Sequence, residues 1–354
     1  MKKSLLAIAI AAAVPAVASA QVTVFGVMDA GYRGTTEENT TATGRTEVSR
    51  NSTGGNAAGS MSSNRLGFRG TEKIGNLTAG FFYELGLDAG DTGNLQTGPV
   101  NQLTGAPAVG NLGGAGVRRS VVSLAGPFGT VEIGRDYTPV FLTALTFDAA
   151  MASNLQVGKT VYLNGGTTIT TVRNSGQAMW TSPTMGGITA RVAITNKTSD
   201  PGATNDVEST GGSLRYAAGP LVIQAGFNNQ KDSSSATVAR DRDETVIGAS
   251  YVASKQLTLL GMWGEVKQKN ATADYSAYQL GARYMVAANT MFHGSFGKGD
   301  GHNGDFSGYN IGLRQMLSKR TTLYAMYGAD ELNNATAKTK RERTEFAFGI
   351  NHSF

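Results

Sequence analysis

Apolar and polar residues alternate along many short segments of the chain. In residues 188–195 the even positions are apolar, whereas the odd positions include Thr189, Arg191 and Thr195. Residues 65–69, 81–88, 278–284 and 309–314 alternate in the same way, with Arg or Glu on the polar side. A period of two residues is typical of a β-strand with one apolar and one polar face. The chain is therefore predicted to be all-β.

Two kinds of connection separate these runs, and they follow each other in turn. Short signals with Gly, Pro, Asn or Ser-Lys lie at 72–76, 125–129, 182–187, 217–220, 252–256, 286–290 and 317–321. Long polar segments lie at 33–63, 88–116, 136–171, 196–210, 230–243, 267–275, 297–305 and 330–343. Fifteen connections imply sixteen strands. Short turns at one rim and long loops at the other predict an antiparallel transmembrane β-barrel with short periplasmic turns and long external loops.

The composition removes several other classes of protein. The chain has no cysteine, which excludes disulfide scaffolds, Cys-based zinc sites and thiol catalysis. Its formal charge of +5 is small and dispersed, so nucleic acid is not an expected partner. Gly makes up 47 of 354 residues and charged residues only 16%, as expected for many strands and turns with a large uncharged surface. A soluble β-sandwich is the alternative, with the apolar faces as its core.

The first twenty residues resemble a secretory signal. Lys2 and Lys3 precede an apolar stretch at 5–17, and Ala18-Ser19-Ala20 is a small-residue cleavage site. We therefore expect residues 1–20 to be removed on export and 21–354 to form the barrel. No later stretch reaches about 18 consecutive apolar residues, so no transmembrane helix is expected.

The C-terminal segment predicts a strand that closes the barrel. Its apolar residues share one parity: Phe346, Phe348, Ile350 and Phe354. Closing a barrel removes the exposed edge that such an apolar strand would otherwise present. Together with the export signal, this strand predicts a location in the outer membrane.

A barrel of sixteen strands is too wide for side chains to fill and leaves an aqueous channel. An enzyme built on such a barrel is the competing hypothesis, and it would need a base beside a nucleophile. The histidines offered are His293, His302 and His352. His293 shares a face with Ser295, but no third member of a triad is identifiable. Neither an enzyme nor a metal site is predicted, and no cofactor is expected.

Several segments resemble the trimeric general porins of Gram-negative outer membranes, closest to the branch of Bordetella-like and Neisseria-like bacteria. They lie at 24–31, 65–72, 128–137, 317–324 and 352–354, and the similarity spans the mature chain. The resemblance implies a water-filled channel for passive diffusion of small hydrophilic solutes and ions. It further implies a homotrimer in contact with outer-membrane lipid and lipopolysaccharide, assembled by the outer-membrane barrel assembly machinery through Phe354.

The resemblance also implies where the channel is narrowest. The third long loop, about 136–171, is expected to fold into the barrel and to carry the acids Asp136 and Asp148. The wall facing it is expected to carry Arg65, Arg118, Arg173 and Glu84. Parity leaves open whether Arg118 or Arg119 points inward, because Val121 and Val122 are both apolar.

The charged residues on the polar faces of the strands favour the passage of anions slightly. Further lumen charges are expected at Arg69, Arg191, Arg215, Arg283 and Arg314. Counted together, eight basic groups stand against seven acidic ones: Asp29, Glu84, Asp88, Glu132, Asp136, Asp148 and Glu345. Rings of basic groups favour anions, so a weak anion preference is predicted. A channel specific for organic anions or sugars remains the alternative, although most strand aromatics share the outward parity.

Overall fold

The computed structural model describes residues 22–54, 60–87, 116–151, 153, 169–196, 207–232, 241–268, 274–301 and 304–354. The predicted signal segment, 1–20, lies outside these residues. The first nine strands are β1 (Thr23–Thr41), β2 (Gly44–Gly54), β3 (Arg65–Ile74), β4 (Leu77–Gly86), β5 (Val117–Gly126), β6 (Gly129–Tyr137), β7 (Arg173–Thr181), β8 (Ile188–Thr195) and β9 (Val207–Ala218). The others are β10 (Leu221–Asp232), β11 (Arg242–Val252), β12 (Leu257–Gln268), β13 (Tyr275–Ala287), β14 (Thr290–Gly301), β15 (Asp305–Met316), β16 (Thr321–Asn334) and β17 (Thr339–Ser353). One helix, α1 (Pro139–Phe147), follows β6.

The strands form one closed antiparallel barrel. From β3 to β17 each strand pairs with the next one in the chain, and β1 pairs with β17 to close the ring. On its other side β1 pairs with β3 over residues 23–27 and with β2 over residues 31–41. Strands β2 and β3 thus occupy one position in the ring, one above the other. Sixteen strand positions surround the barrel, which confirms the count made from the turns.

The seven predicted short turns all join consecutive strands at one rim, called here the turn rim. The opposite rim, the loop rim, differs from expectation at three connections, one of which is 297–305, where β14 continues to Gly301. Residues 33–63 were expected to be a loop, but β1 and β2 continue as a hairpin to a tight turn at residues 42–43. Likewise β16 and β17 extend through most of 330–343. These extensions are polar on both faces, so periodicity could not reveal them.

The outer face of the barrel is apolar and carries aromatic rings at two levels. Near the turn rim these are Phe128, Trp180, Tyr216, Tyr251, Tyr284 and Phe292. Nearer the loop rim they are Phe227, Trp263, Tyr278, Phe296, Tyr309, Tyr327 and Phe346. Tyr278 and Tyr284 are six residues apart on β13, which is about 20 Å along a strand. This spacing fits the apolar band between two aromatic girdles of a transmembrane barrel. No helix among the described residues is long and apolar enough to cross a membrane.

Helix α1, at the start of the third long loop, lies inside the barrel. The side chain of Thr138 caps its start by accepting a hydrogen bond from the Phe141 amide at 3.2 Å, and Pro139 occupies the first turn. The helix ends where Asp148 adopts an extended conformation. The helix lies mainly against β10 and β11. Its apolar residues belong to one buried cluster, which contains Val140, Phe141, Ala144, Phe147, Ile169, Val246, Met262, Val266, Tyr275 and Ala277.

Candidate functional site

The inner face of the barrel is polar because successive side chains of a strand point to opposite faces. On β10, Phe227 points outward and is half exposed, whereas Gln224 and Asn228 point inward and are buried among their neighbours. The same rule places the carboxyl groups of Asp29, Glu84, Glu244, Asp330 and Glu345 inside. The wall therefore presents charges and hydrogen-bonding groups to the interior.

A bulge in β5 decides the orientation of two consecutive arginines. Glu84 on β4 is opposite Arg119, whereas the next residue, Leu85, is opposite Val117. Arg118 is therefore the extra residue of a β-bulge, which re-aims its side chain. Both arginines consequently contact inward carboxylates. Alternation could not decide which of the two points inward, and in the structure both side chains reach the inner face.

Three arginines and two carboxylates of this wall form ion pairs. The Arg118 Nε lies 2.7 Å from a Glu84 oxygen, and the Arg65 Nε lies 3.5 Å from the other. Arg119 binds Asp136 through two nitrogens, at 2.6 and 2.7 Å. The expectation that Asp136 faces the arginines from the loop is wrong. Asp136 lies within β6, on the same wall, because β6 continues to Tyr137 before the loop begins.

The fourth arginine of the wall, Arg173, has a neutral partner. Its Nη2 donates to the Tyr137 hydroxyl at 2.9 Å, and its guanidinium lies 4.4 Å from the centre of the Tyr137 ring. The Arg173 Nε is buried without a hydrogen-bond partner. Of these four arginines, Arg65, Arg118 and Arg119 form ion pairs with carboxylates, whereas Arg173 forms none within the described part of the chain. Arg173 thus keeps an uncompensated positive charge.

Aromatic rings, to which the sequence pattern assigned no role, line the same wall. Phe25 and Phe82 point inward with ring centres 5.0 Å apart. The Arg119 guanidinium lies 4.2 Å from the Phe82 ring centre, and that of Arg69 lies 5.4 Å from the Phe25 ring centre. Such contacts orient a guanidinium without neutralising it. The inward parity of Phe82 was readable from the sequence, but its stacking on an arginine was not.

Helix α1 lies on a different part of the wall, where small residues leave space for it. Glycines at inward positions of β10, β11 and β13 leave the space that the loop fills. A Cβ at Gly226, Gly248 or Gly281 would lie 2.3 Å from Thr143, 2.2 Å from Phe147 and 2.6 Å from Ala149, respectively. Gln224 also donates to the Thr143 hydroxyl at 2.9 Å. Residues 139–151 thus lie along β9 to β15, and the arginines lie on β3, β5 and β7.

Asp148 does not have the predicted position. Its side chain is fully buried rather than exposed to the interior. The carboxylate accepts hydrogen bonds from the Ala150 amide at 3.0 Å and from Gln279 on β13 at 3.1 Å. The expectation of an exposed loop acid facing the arginines is wrong here, because the carboxylate stabilises the turn that follows α1.

Two of the predicted lumen arginines hold this turn. Arg283 on β13 donates to the backbone carbonyls of Asp148 and Ala149, the second at 3.1 Å. Arg314 on β15 donates to the carbonyl of Ala150 at 2.6 Å. Both point inward as parity predicted, but they fasten the loop to the wall. Charged donors make strong hydrogen bonds of this kind.

The remaining predicted lumen arginines lie closer to the turn rim. Arg191 is opposite the inward Ser213, and Arg215 is opposite the inward Gln224. Arg69 is opposite Phe82, which also points inward. These registers place all three arginines on the inner face, in agreement with their parity.

A second segment, Ser60 to Asn64, folds into the barrel and was not foreseen. Asp29 on β1 holds it: its carboxylate accepts from the Ser62 amide at 3.0 Å, while Asn64 accepts from the Asp29 amide. Tyr324 and Asn351 donate to the same carboxylate at 2.7 and 2.8 Å. The side chains of Ser60 and Asn64 are fully buried. Nothing in the sequence pattern marks this segment, because it follows no strand period.

The predicted closing strand lies where expected. Phe346, Phe348, Ile350 and Phe354 all point outward, and each is between 43% and 53% exposed. Phe354 also pairs with β1: its backbone N–H and C=O each bond Gly26 at 3.1 Å. A Cβ at Gly26 would lie 2.3 Å from the Phe354 ring, so the glycine makes room for it.

The two described histidines, His293 and His352, have different surroundings. His293 and Ser295 both point inward and are buried, but the Ser295 hydroxyl bonds Asn310 at 2.9 Å. His352 is exposed and bonds Thr321. His302 lies outside the described residues. Within the part of the chain that the structure describes, no group of three or more His, Cys, Asp or Glu residues could hold a metal ion.

Comparison with known proteins finds one family over almost the whole chain. The family described as Gram-negative porin matches residues 6–335. Outer membrane porin protein 32 of Delftia acidovorans is 32% identical over 264 residues, which cover 71% of this chain and 66% of that protein. The chain thus aligns with just under two thirds of that relative's length.

Solved structures agree with the fold. The anion-selective porin from Comamonas acidovorans is 26% identical with a TM-score of 0.70, covering 95% of this chain and all of that one. The trimer form of OmpT from Vibrio cholerae has a TM-score of 0.60 and covers 94% of this chain and 99% of that one. At 13% identity it supports the barrel fold alone.

Proposed function

This chain belongs to the Gram-negative porin family, and from that premise we propose how it works. It forms a water-filled channel in the outer membrane for passive diffusion of small hydrophilic solutes and ions, and it prefers anions. The preference is carried by the charge imbalance of one wall. Four arginines there, Arg65, Arg118, Arg119 and Arg173, stand beside two carboxylates, Glu84 and Asp136.

The physical basis of the preference is the field of the unbalanced charges. Charges that line a narrow passage with low-dielectric walls interact with an ion more strongly than they would in bulk water. Rings of basic groups favour anions. Arginine suits this role because its guanidinium stays protonated at physiological pH and stacks on aromatic faces. The similar porin from Comamonas acidovorans is anion-selective, which supports this proposal.

We place the constriction between the basic wall and the loop. Arg65, Arg118, Arg119, Arg173 and Glu84 form one side of it, with Asp136 as the partner that holds Arg119. Helix α1 and the turn at Asp148 form the other side, where Arg283 and Arg314 fasten them. Arg69, Arg191 and Arg215 extend the basic surface toward the turn rim and would guide anions along the passage.

A channel specific for organic anions is the second candidate. The observation that favours it is the stacking of Phe25, Phe82 and Tyr137 with arginines, a surface that also suits a carboxylate attached to an apolar body. A small organic carboxylate that blocks chloride current at low concentration would favour this candidate. If the carboxylate instead carries current in addition to chloride without blocking it, the diffusion channel is favoured.

The assembly and export of the protein are part of the proposal. We infer a homotrimer, for which the trimer form of OmpT is a precedent within the fold. The two aromatic levels would contact outer-membrane lipid and lipopolysaccharide. Phe354 would present the closing strand to the barrel assembly machinery, and residues 1–20 would be cleaved during export.

Planar-bilayer recording of refolded protein tests the function. We expect stable open channels whose current falls in three equal steps as the voltage is raised, as a trimer of separate pores would give. Swelling of protein-loaded liposomes should be faster with a small anionic solute than with a cationic solute of equal size. Folded barrels that pass no current would refute the proposal.

A further inference from the structure

We propose that Tyr137 is a positioning residue for anion selectivity, because it holds Arg118 and Arg173 in place without neutralising either. This inference rests on the proposed function and names a residue that sets it. Tyr137 is the last residue of β6, and the loop that enters the barrel begins at the next residue. It therefore stands where the basic wall and the inserted loop meet.

The hydroxyl of Tyr137 accepts hydrogen bonds from two guanidiniums. Arg173 donates through Nη2 at 2.9 Å, and Arg118 donates through Nη2 at 3.2 Å. Because both bonds end on one oxygen, the two nitrogens lie within about 6 Å of each other. Two cations at that distance repel. A shared acceptor between them keeps both side chains on the wall.

The neutrality of this acceptor is what matters for selectivity. Arg118 also bonds Glu84, and Arg119 bonds Asp136, so carboxylates offset part of their charge. Arg173 is held by the hydroxyl and the ring of Tyr137, with no carboxylate in an ion pair among the described residues. A carboxylate as the shared acceptor would offset the field of the arginines, whereas the tyrosine hydroxyl does not.

The Tyr137 ring has its own contacts and ties the arginines to the loop. The Arg173 and Arg119 guanidiniums lie 4.4 and 5.6 Å from its centre. It also stacks on Phe141 of α1, with ring centres 5.2 Å apart and planes at 21°. Its backbone carbonyl accepts from Gln177 at 3.1 Å. The ring and backbone thus fix the tyrosine, so that its hydroxyl can act as a fixed acceptor.

The variant Tyr137→Phe tests the role of the hydroxyl, since it keeps the ring and removes the acceptor. Refolded channels would be recorded in a potassium chloride gradient, and the anion-to-cation permeability ratio taken from the zero-current potential. We expect this ratio to fall by about twofold or more, because the arginines leave the positions from which their field acts on the passage. The matched control is Tyr284→Phe, which removes a hydroxyl from the outer face and should leave the ratio unchanged.

A second background separates a positioning role from a structural one. If Tyr137 acts through Arg173, then Tyr137→Phe should change the ratio much less in an Arg173→Ala channel than in the wild type. An unchanged ratio in Tyr137→Phe, an equal change in both backgrounds, or failure of Tyr137→Phe to fold would each overturn the inference. If the wild-type channel itself shows no anion preference, the proposed function fails instead.

Discussion

Gly248 lies directly beneath Phe147: a Cβ at this glycine would be 2.2 Å from the Phe147 ring. The strand residue and the helix residue are thus shaped to each other, and helix α1 can lie flat against the wall only because the side chain is absent. The width of the passage therefore depends on Gly248, although α1 covers this glycine and separates it from the passage.

The variant Gly248→Ala should narrow the channel. The added methyl forces α1 away from β11 and toward the basic wall, because overpacking of this kind costs about 1–3 kcal/mol and is relieved by displacement. Single-channel conductance should fall while the barrel still folds. Gly294→Ala is the control, since a Cβ there meets its nearest atoms at 3.5 Å. Equal conductance in both variants would show that the helix has no seat at Gly248.

Asp148→Asn should barely change ion selectivity. The Asp148 carboxylate is fully buried, and an asparagine oxygen can still accept the bonds from Ala150 and Gln279. Arg173→Ala, by contrast, removes an uncompensated charge and should move the zero-current potential toward cations. A shift from Asp148→Asn as large as that from Arg173→Ala would restore the role that the sequence suggested for this acid.

Replacing both Arg283 and Arg314 by alanine should loosen the loop. These side chains bond the carbonyls of residues 148 to 150, and hydrogen bonds to charged groups contribute about 1.5–3 kcal/mol each. We expect noisier current and closure at lower voltage, measured as the voltage at which half the channels close. Arg215→Ala removes another inward arginine as a control. Unchanged closure in the double variant would mean that the loop is held elsewhere.

Asp29 should control access to the segment that begins at Ser60. The chain has no cysteine, so Ser60→Cys introduces a unique thiol at a fully buried position. Replacing Asp29 by alanine removes the carboxylate that binds Ser62, Tyr324 and Asn351. The rate of thiol labelling should rise about tenfold or more, since 1.4 kcal/mol corresponds to tenfold and a buried polar group left unpaired costs about 1–3 kcal/mol.

The same labelling in an Asp305→Ala background provides the control, because Asp305 is an exposed acid on β15. Equal labelling rates in the Asp29→Ala and Asp305→Ala backgrounds would contradict the anchoring role of Asp29.

The sequence predicted the barrel well because a barrel strand has a period of two and a turn has its own chemistry. The outward positions of Phe346, Phe348 and Ile350 followed directly from their spacing. The hairpin of β1 and β2 was missed because residues such as Thr36, Glu37 and Glu38 are polar on both faces. An alternating pattern arises only where one face of a strand is apolar and the other polar. A strand with water on both sides has polar residues on both faces and shows no such pattern.

The site was predicted less completely, for three physical reasons. The bulge at Arg118 shifts parity by one residue, which alternation in a single strand cannot show. Asp148 lies after a helix in a loop, where no period fixes the direction of a side chain. Tyr137 sits at a strand end, and its partners Arg118 and Arg173 come from other strands. Contacts between strands that are distant in the chain can be recognised only in the closed barrel.

The zero-current potential of the wild-type channel in a tenfold potassium chloride gradient tests the central claim most directly. Four wall arginines that have two carboxylates as ion-pair partners should make chloride the more permeant ion, so the potential should take the sign set by chloride diffusion. Raising the ionic strength on both sides should reduce the preference, because salt screens the charges. A potential of the sign set by potassium would contradict the account.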